Sequence, residues 1–481
     1  MTCPDDPQPV GEPLAEPPDA LEALVGPPAG ARRVDLTQGS LLRGIVLLSW
    51  PIVTGSFLQF LMQAADTKMV GALGPAAIAA VGTANGAIMT VMAAVLAVST
   101  GTQVLSARYT GERDHSAVAD VTRQAIIISL LLGLILVPAG WLLSEPIMCA
   151  LGAEGEVVMQ GAAYTRVFFL GAVSLMINFM ITSALNGAGD TLTPLYVLAG
   201  INVGNILFDW LLIFGVGPFP ELGVAGAAWA VVISRSVGAA VLLWVVTCGR
   251  FAIRMPVRNH WHIDLGLWGK MFYIGVPSSI QGLTRNVSYL MLLWILNQTA
   301  AGALAVAGHT VCGQIQAVMV MVGLALMSAA MTAVGQNLGA HDPGRAERSG
   351  WTVVGISAAA VAVMAGLSIV LARPLIGFFT DDAQTIHWGV TALVILAVVQ
   401  PFGTASMAFS GALRGAGDTL SPLWASLICT SGVGPALAYL FTVPMGWGPP
   451  GAWTGLAVGI VLQCAMTGWI FKQGKWKQIE L

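Results

Sequence analysis

Two carboxylates stand out in this chain because each lies inside a long apolar run. The chain has 24 acidic residues, and only Asp66 and Asp209 fall within such runs. Charged side chains inside a membrane are costly and usually functional. The run that carries Asp209 also carries Asn202 and Asn205, at a spacing of i, i+3 and i+7 that is one face of a helix. That face would present two carboxamides and one carboxylate to a common cavity.

These side chains could bind either a proton or a small cation. A carboxyl group buried without a fixed cation can exchange a proton near physiological pH. Carboxylate and amide oxygens also form the all-oxygen kind of site that suits Na⁺. We therefore predict an ion-coupling site at Asp66, Asn205 and Asp209, with Asn202 and Thr182 as further members. The sequence leaves H⁺ and Na⁺ open as the ion, and it predicts no other metal and no organic cofactor.

Other polar residues in the apolar runs indicate where a cargo could bind. We expect four of them to line a substrate cavity: Asn178, Gln281, Arg285 and His309. Pro51 lies inside the first run, where a proline removes one helix hydrogen bond and kinks the helix. Pro277 is its counterpart in the second half. A kinked helix that carries Asp66 could bend or straighten as the acid changes its protonation.

The composition requires a membrane around the elements that hold these residues. The chain has 481 residues, of which 56% are hydrophobic and 9% are charged, whereas soluble domains carry about 25% charged residues. The net charge of −3 gives no basic patch for nucleic acid, and the six cysteines lack metal-ligand or redox spacing. No Gly-rich loop precedes a Lys-Ser/Thr pair, so nucleotide hydrolysis is not expected. We expect a transporter that draws on an ion gradient or runs downhill, and no enzyme.

The apolar runs predict an all-α integral membrane protein with twelve transmembrane helices, since a span needs about 20 mostly apolar residues. The predicted spans are 44–66, 77–103, 123–144, 161–184, 194–216, 224–247, 267–297, 303–335, 350–372, 385–411, 421–443 and 450–471. The composition further predicts a disordered cytoplasmic tail at 1–38, an N-lobe at 39–247, a cytoplasmic linker at 248–266 and a C-lobe at 267–481.

One phrase occurs twice and shows that the chain is an internal duplication. Residues 184–195 read ALNGAGDTLTPL and residues 412–423 read ALRGAGDTLSPL, a match at ten of twelve positions. Each half then carries six spans, an even number, so the halves enter the membrane in the same sense. We expect two six-helix lobes related by a pseudo-two-fold axis along the membrane normal. Both copies of the phrase fall at turns and are predicted to be structural, which places function where the copies differ.

The basic residues predict the orientation. With the N-terminus in the cytoplasm, sixteen of the 21 Lys and Arg fall on the inner side and two on the outer side. The other three lie within spans: Arg166, Arg235 and Arg285. We expect a multi-pass protein of the plasma (inner) membrane, with both termini cytoplasmic and no signal peptide.

Several motifs in combination resemble the multidrug and toxic compound extrusion (MATE) family. They are Trp50–Pro51, Asp66–Gly71 (DTKMVG), Gly111–Asp114 (GERD), the two GAGDT turns at 187–191 and 415–419, Asn205–Asp209 (NILFD) and Gly223–Ala228 (GVAGAA). The resemblance implies a V-shaped cavity between two lobes and efflux of small organic compounds, often cationic, in exchange for H⁺ or Na⁺. It places the family's ion-coupling acids on Asp66 and Asp209 and its span-five asparagine on Asn205. We expect a monomer in the lipid bilayer.

The resemblance also favours one branch of the family and leaves rival functions to weigh. Where another branch has acidic residues in spans seven and ten, this chain has Arg285 and Gly403, which favours the DinF-like branch with coupling in the first lobe. A lipid-linked oligosaccharide flippase of the same superfamily would line its cavity with several cations. A major-facilitator carrier shares the 6+6 layout, but its basic loop between spans two and three is missing here. A non-transporting receptor or channel subunit would not need the first-lobe carboxylates.

Overall fold

The protein is helical throughout the part of the chain that its computed structural model describes, residues 34–248, 252–255 and 261–479. Most of the predicted tail and parts of the predicted linker therefore lie outside the described residues. The first half contains α1 Leu41–Gly71, α2 Pro75–Glu112, α3 His115–Ala150, α4 Glu156–Leu170, α5 Ala172–Gly187, α6 Leu192–Phe214 and α7 Val224–Cys248. The second half contains α8 Leu265–Asn297, α9 Gly302–Gly339, α10 Pro343–Val370, α11 Ala372–Gly377, α12 Ala383–Gly415, α13 Leu420–Ala425, α14 Gly434–Thr442 and α15 Pro449–Gln473.

These helices form the predicted twelve spans in two lobes. Among the described residues, nine helical segments are long and apolar enough to cross a membrane, with Leu420–Thr442 counted as one, and the bent pair α4 and α5 makes a tenth. Helices α2 and α8, with 38 and 33 residues, complete the set because each is longer than a membrane crossing requires. The prediction of an all-α, twelve-helix, two-lobe membrane protein is confirmed.

Two spans are less regular than predicted. Span four was expected as one helix over 161–184, but it breaks at Gly171, where α4 and α5 meet at 51°. A side chain at Gly171 would collide with Val232 of α7, so the break brings two helices close together.

Span eleven contains a π-helical segment, Ser426–Val433, between α13 and α14. Pro435 follows directly, and because it has no N–H it cannot supply the next α-helical hydrogen bond.

The repeated phrase forms the same turn twice. In the first copy the Asp190 carboxylate accepts hydrogen bonds from the backbone N–H of Thr193 at 3.0 Å and from its hydroxyl at 2.7 Å. In the second copy Asp418 accepts from the backbone N–H of Ser421 at 3.0 Å. Each turn has a glycine with positive φ just before the aspartate, a conformation that favours glycine. We call the end of the molecule that carries both turns the GAGDT end.

The two lobes pack against each other near the GAGDT end. The Gln103 side-chain amide donates to the Ser328 carbonyl at 3.1 Å, and the Gln336 amide donates to the Gly187 carbonyl at 2.9 Å. On α8, Gly275 lies against the Ala97 backbone of α2, leaving no room for a side chain. Two turns further along the same face of α8, a side chain at Gly282 would meet nothing within 4 Å. The lobes therefore diverge over seven residues, about 10 Å, into a cleft that opens at the opposite end.

The segment that precedes α1 joins the two lobes at this closed end. The Val34 N–H donates to the Gly189 carbonyl of the first lobe at 3.1 Å. The Arg345 guanidinium of α10, in the second lobe, donates to the carbonyls of Leu36 and Gly39, each at 2.9 Å. We call residues 34–39 the strap.

Candidate functional site

Helix α6 turns its polar face into the first lobe and its apolar face outward. Asn202, Asn205 and Asp209 are buried, and Asp209 is 0% exposed. Val203, Leu207 and Trp210, on the other side of the same helix, are exposed. This arrangement is the inverse of a helix on a soluble protein, and it is the one expected where lipid surrounds the lobe.

The buried polar groups on α6 are only partly satisfied. Oriented to satisfy both ends of its carboxamide, Asn205 donates to Oδ2 of Asp209 at 3.2 Å and accepts from the Val231 N–H of α7 at 3.1 Å. Among the described residues, the other carboxylate oxygen of Asp209 has no hydrogen-bond partner, and neither does either side-chain polar atom of Asn202. Buried polar atoms are rarely left without partners, so this face is suited to bind a ligand that can supply the missing interactions.

Asp66 approaches the same region from α1. It is half-buried, its Oδ1 atom has no hydrogen-bond partner, and its charge interacts with that of Asp209. Neither carboxylate forms an ion pair with any described residue. Tyr164 of α4 is buried and interacts electrostatically with both carboxylates and with Arg235 of α7. Four helices thus bring ionisable groups to one region of the first lobe, in the half farther from the GAGDT end.

A small cavity adjoins this cluster. Its volume is about 10 Å³, which is about the space that one water molecule requires. The residues that line it are Met62, Ile201, Asn205, Val231, Ser234 and Arg235. The Ser234 hydroxyl has no hydrogen-bond partner. The cavity can accept a water or a small ion and is far too small for an organic cargo. Within the described chain, no three His, Cys, Asp or Glu side chains gather as a metal site.

Two other predicted residues of the first lobe lie on α5. The amide of Asn178 donates to the backbone carbonyls of Ser174 and Arg235, each at 2.7 Å, while its own oxygen has no partner. Asn178 therefore links α5 to α7 inside the lobe. Thr182, half-buried one turn further along, has no described hydrogen bond to the carboxylate cluster, so its membership in the ion site stays a prediction.

The remaining predicted cavity residues lie in the second lobe. The Gln281 amide donates to the Pro422 carbonyl at 3.3 Å, while its oxygen accepts from the Arg414 guanidinium. His309 of α9 is buried, with its ring 5.9 Å from the ring of Tyr289. Arg285 is exposed one turn beyond Gln281. The four residues predicted to line one cavity are thus divided, with Asn178 in the first lobe and the other three in the second.

Three residues of these clusters were absent from the predicted site. Arg414 was assigned to the inner side, but the structure buries it to 7% exposure against Gln281. The sequence did carry a signal, because Arg414 replaces Asn186 within an otherwise nearly identical repeat. Arg235 was noted only as a cation within a span, and Tyr164 gives no sequence signal because an isolated tyrosine in an apolar run is ordinary.

Comparison with known proteins connects this geometry to a family. A family model described as MatE matches residues 51–211 and 277–440, one segment in each half. The probable multidrug resistance protein NorM of Thermotoga maritima is 29% identical over 445 residues, covering 90% of this chain and 93% of that protein. The multidrug resistance protein NorM of Burkholderia vietnamiensis is 30% identical over 455 residues, covering 92% and 97%. A solved structure of a multidrug resistance MATE family transporter in an outward-facing conformation has the same fold, with a TM-score of 0.86 at 23% identity, covering 92% of this chain and 98% of that one.

Proposed function

Because this chain belongs to the MatE family, the multidrug and toxic compound extrusion transporters, we propose that it exports organic compounds in exchange for H⁺, with Na⁺ as the alternative ion. One observation carries the proposal: Asp66 and Asp209, from two different helices, converge in the first lobe without an ion-pair partner among the described residues. Two neighbouring carboxylates that both stay charged repel each other in a poorly hydrated region. Binding a cation or a proton removes that repulsion.

The local chemistry favours H⁺ over Na⁺. The Asn205 amide group directs its N–H, and not its oxygen, at Asp209, so it stabilises a carboxylate without acting as a cation ligand. Hard cations in proteins bind several oxygen ligands at once, and among the described oxygens without a partner here only those of the two carboxyl groups carry charge, while those of Asn202 and Ser234 are neutral. A proton needs only one of them, and the water-sized cavity beside Asn205 offers it a route.

The cleft indicates how exchange would proceed. The lobes are closed at the GAGDT end and open at the other. The distribution of Lys and Arg places the GAGDT end in the cytoplasm of a plasma-membrane protein with cytoplasmic termini, so the open cleft faces outward. In this state the first-lobe acids can take up external protons as a cargo cation leaves, and rocking of the lobes would then release the protons inside. A single chain contains both lobes, and we propose that it acts as a monomer.

Transport into inside-out vesicles tests the proposal, with ethidium as a fluorescent organic cation. A pH gradient, acidic in the lumen, and a Na⁺ gradient, high in the lumen, are imposed separately. We expect the pH gradient to drive ethidium uptake and a protonophore to abolish it. Uptake driven by the Na⁺ gradient alone would show that Na⁺, and not H⁺, is the coupling ion. Uptake that neither gradient changes would overturn the antiport proposal.

A further inference from the structure

Arg285 projects toward the cleft and not toward lipid. The exposed apolar side chains of α8 include Leu283 and Val287. Arg285 is two residues from each, about 200° around the helix, and so it lies on the opposite side. It also lies one turn beyond Gly282, where the two lobes have already separated. The exposed surface of the Arg285 side chain therefore faces the cleft.

Arg414 lies behind this position, inside the second lobe. One terminal nitrogen of its guanidinium donates to the Gln281 oxygen, and the other lies 3.7 Å from the Met327 sulfur. Its Nε atom is buried and has no hydrogen-bond partner. Gln281 and Arg285 are one turn apart on α8, and the charges of Arg285 and Arg414 interact.

These two cations lack the counterion that such groups usually have. Arg166, by contrast, has Glu145 at 3.3 Å. No described carboxylate lies within ion-pair distance of Arg285 or Arg414. A buried charge without a partner is strongly destabilising, and here a second like charge adds repulsion. An anion beside Arg285 would reduce both costs, because it would pair with one guanidinium directly and lie within range of the other.

We propose that Arg285, with Arg414 behind it, forms an anion subsite on the second-lobe wall of the cleft, and that it binds the carboxylate or phosphate of an amphoteric organic cargo. The first lobe carries Asp66, which is half-buried, and Asp209, which lies inside it, so the two lobes that flank the cleft have opposite polarity. A cargo with a cationic and an anionic group would be oriented across it. This proposal rests on the proposed export function and names its substrate class. Arg285 contacts the anion; Arg414 is a positioning residue that acts through Gln281 and through its charge.

A matched pair of fluorescent probes tests the subsite. Rhodamine B is a zwitterion with a free carboxylate, and its ethyl ester has the same cationic ring system with the carboxylate blocked. Binding of each to the purified full-length protein in a non-ionic detergent is measured by fluorescence polarisation, without any ion gradient. We expect the wild type to prefer the acid, and R285Q to lower that preference about tenfold, the scale of a hydrogen-bonded contact to a charged group. R285K should keep most of the preference.

The control is R373Q, which removes an exposed cation elsewhere in the second lobe, and it should leave the preference unchanged. Equal binding of acid and ester by the wild type, no saturable binding of rhodamine B, or an equal effect of R285Q on both probes would overturn the proposal. A lipid phosphate is the other source of such an anion. A preference that disappears in nanodiscs with phosphatidylglycerol, but not in those with phosphatidylcholine alone, would reassign the subsite from cargo to lipid. Because the binding measurement uses no ion gradient, its result can be interpreted even if ion-driven export fails.

Discussion

Asp209 brings a carboxylate into the interior of the first lobe, where it has no exposed surface and where Asn205 alone among the described residues donates to it. A charge held in that way raises the energy of the protein unless something binds there. Ionisable or polar residues of α1, α4, α6 and α7 lie in the same region of the lobe. Asp209 lowers the stability of the fold and lies among polar atoms without hydrogen-bond partners. Reversible binding of an ion explains both observations.

D209N should therefore abolish gradient-driven transport while leaving the fold intact. Asparagine has the same shape and can still interact with Asn205, but it cannot release a proton. We expect at least about a tenfold fall in ethidium uptake driven by a pH gradient, with normal expression and thermal stability. The control is D381N, which removes an exposed carboxylate from a second-lobe turn. Full activity of D209N would exclude Asp209 from the mechanism.

Sequence reasoning was effective for residues whose position along one helix decides their neighbours. The spacing of Asn202, Asn205 and Asp209 predicted that they share a face, and the structure places all three inside the lobe. The replacement of Asn186 by Arg414 between the two copies of the repeat marked this residue as different, but its burial could not be predicted because it depends on Gln281 of α8. Contacts between helices that are distant in sequence do not follow from periodicity.

At the scale of elements, α8 is the helix on which the lobes meet and part. Its Gly275 packs backbone to backbone against α2, and its Gly282 faces open space. Both glycines occupy helical backbone on the same face of α8. They differ only in whether the first lobe lies against them. Close packing of this kind permits a tight closed end and allows the lobes to separate without disentangling long side chains.

G275A should weaken closure of the GAGDT end, because its added methyl group must displace the Ala97 carbonyl. Overpacking of this kind typically costs about 1–3 kcal/mol. Spin labels at S116C and A340C, one in each lobe at this end, would report the change as a longer distance distribution in a background without the six native cysteines. G282A, the same substitution two turns away, should leave the distribution unchanged. Identical distributions for both variants would refute the assignment of Gly275 as a closing contact.

The irregular elements show where prediction from periodicity ends. Hydropathy placed spans four and eleven correctly, because length and apolar content alone identify a membrane crossing. Gly171, where span four breaks, lies against Val232 of another helix, and periodicity does not reveal such a contact. The π-helical segment precedes Pro435, whereas α1 is α-helical on both sides of Pro51, so a proline alone does not reveal where a helix will widen; a kink at Pro51 stays a prediction.

At the scale of the whole molecule, the strap stabilises one arrangement of the lobes. Its Val34 bonds to the first lobe, and its Leu36 and Gly39 carbonyls bond to Arg345 of the second. These bonds span the closed end from one lobe to the other. The GAGDT end cannot open without breaking at least one of the two attachments.

R345Q should therefore shift the protein toward opening at the GAGDT end. It removes two hydrogen bonds from a charged donor, and we expect the open population to rise about tenfold, equivalent to about 1.4 kcal/mol. The same spin-label pair measures this shift. R348Q is the matched control, because the Arg348 side chain is exposed and bonds only to the Gly344 carbonyl of its own helix. If R345Q and R348Q give the same distributions, the strap does not restrain the lobes.

The apolar runs together with the repeat at 184–195 and 412–423 predicted two lobes of six spans. The closed end, the open cleft and the strap could not be predicted in this way, because each depends on how one lobe sits on the other. Nothing in the sequence distinguishes residues 34–38 of the strap from the rest of the tail at 1–38 to which they were predicted to belong.

The packing of the strap and of α1 determines when the second half of the chain can complete its fold. Leu36, Ile45 and Leu48 lie in the same hydrophobic core as Leu326, Ala412 and Phe471 of the second half. The ribosome synthesises Leu36, Ile45 and Leu48 long before the other three residues. These apolar side chains therefore cannot pack into their final core until the second half has been synthesised. Expressed alone, the second half would lack part of its own interior, and co-expression with the first half should restore it. The two halves are copies in sequence, but during biosynthesis the later one completes its fold around the beginning of the earlier one.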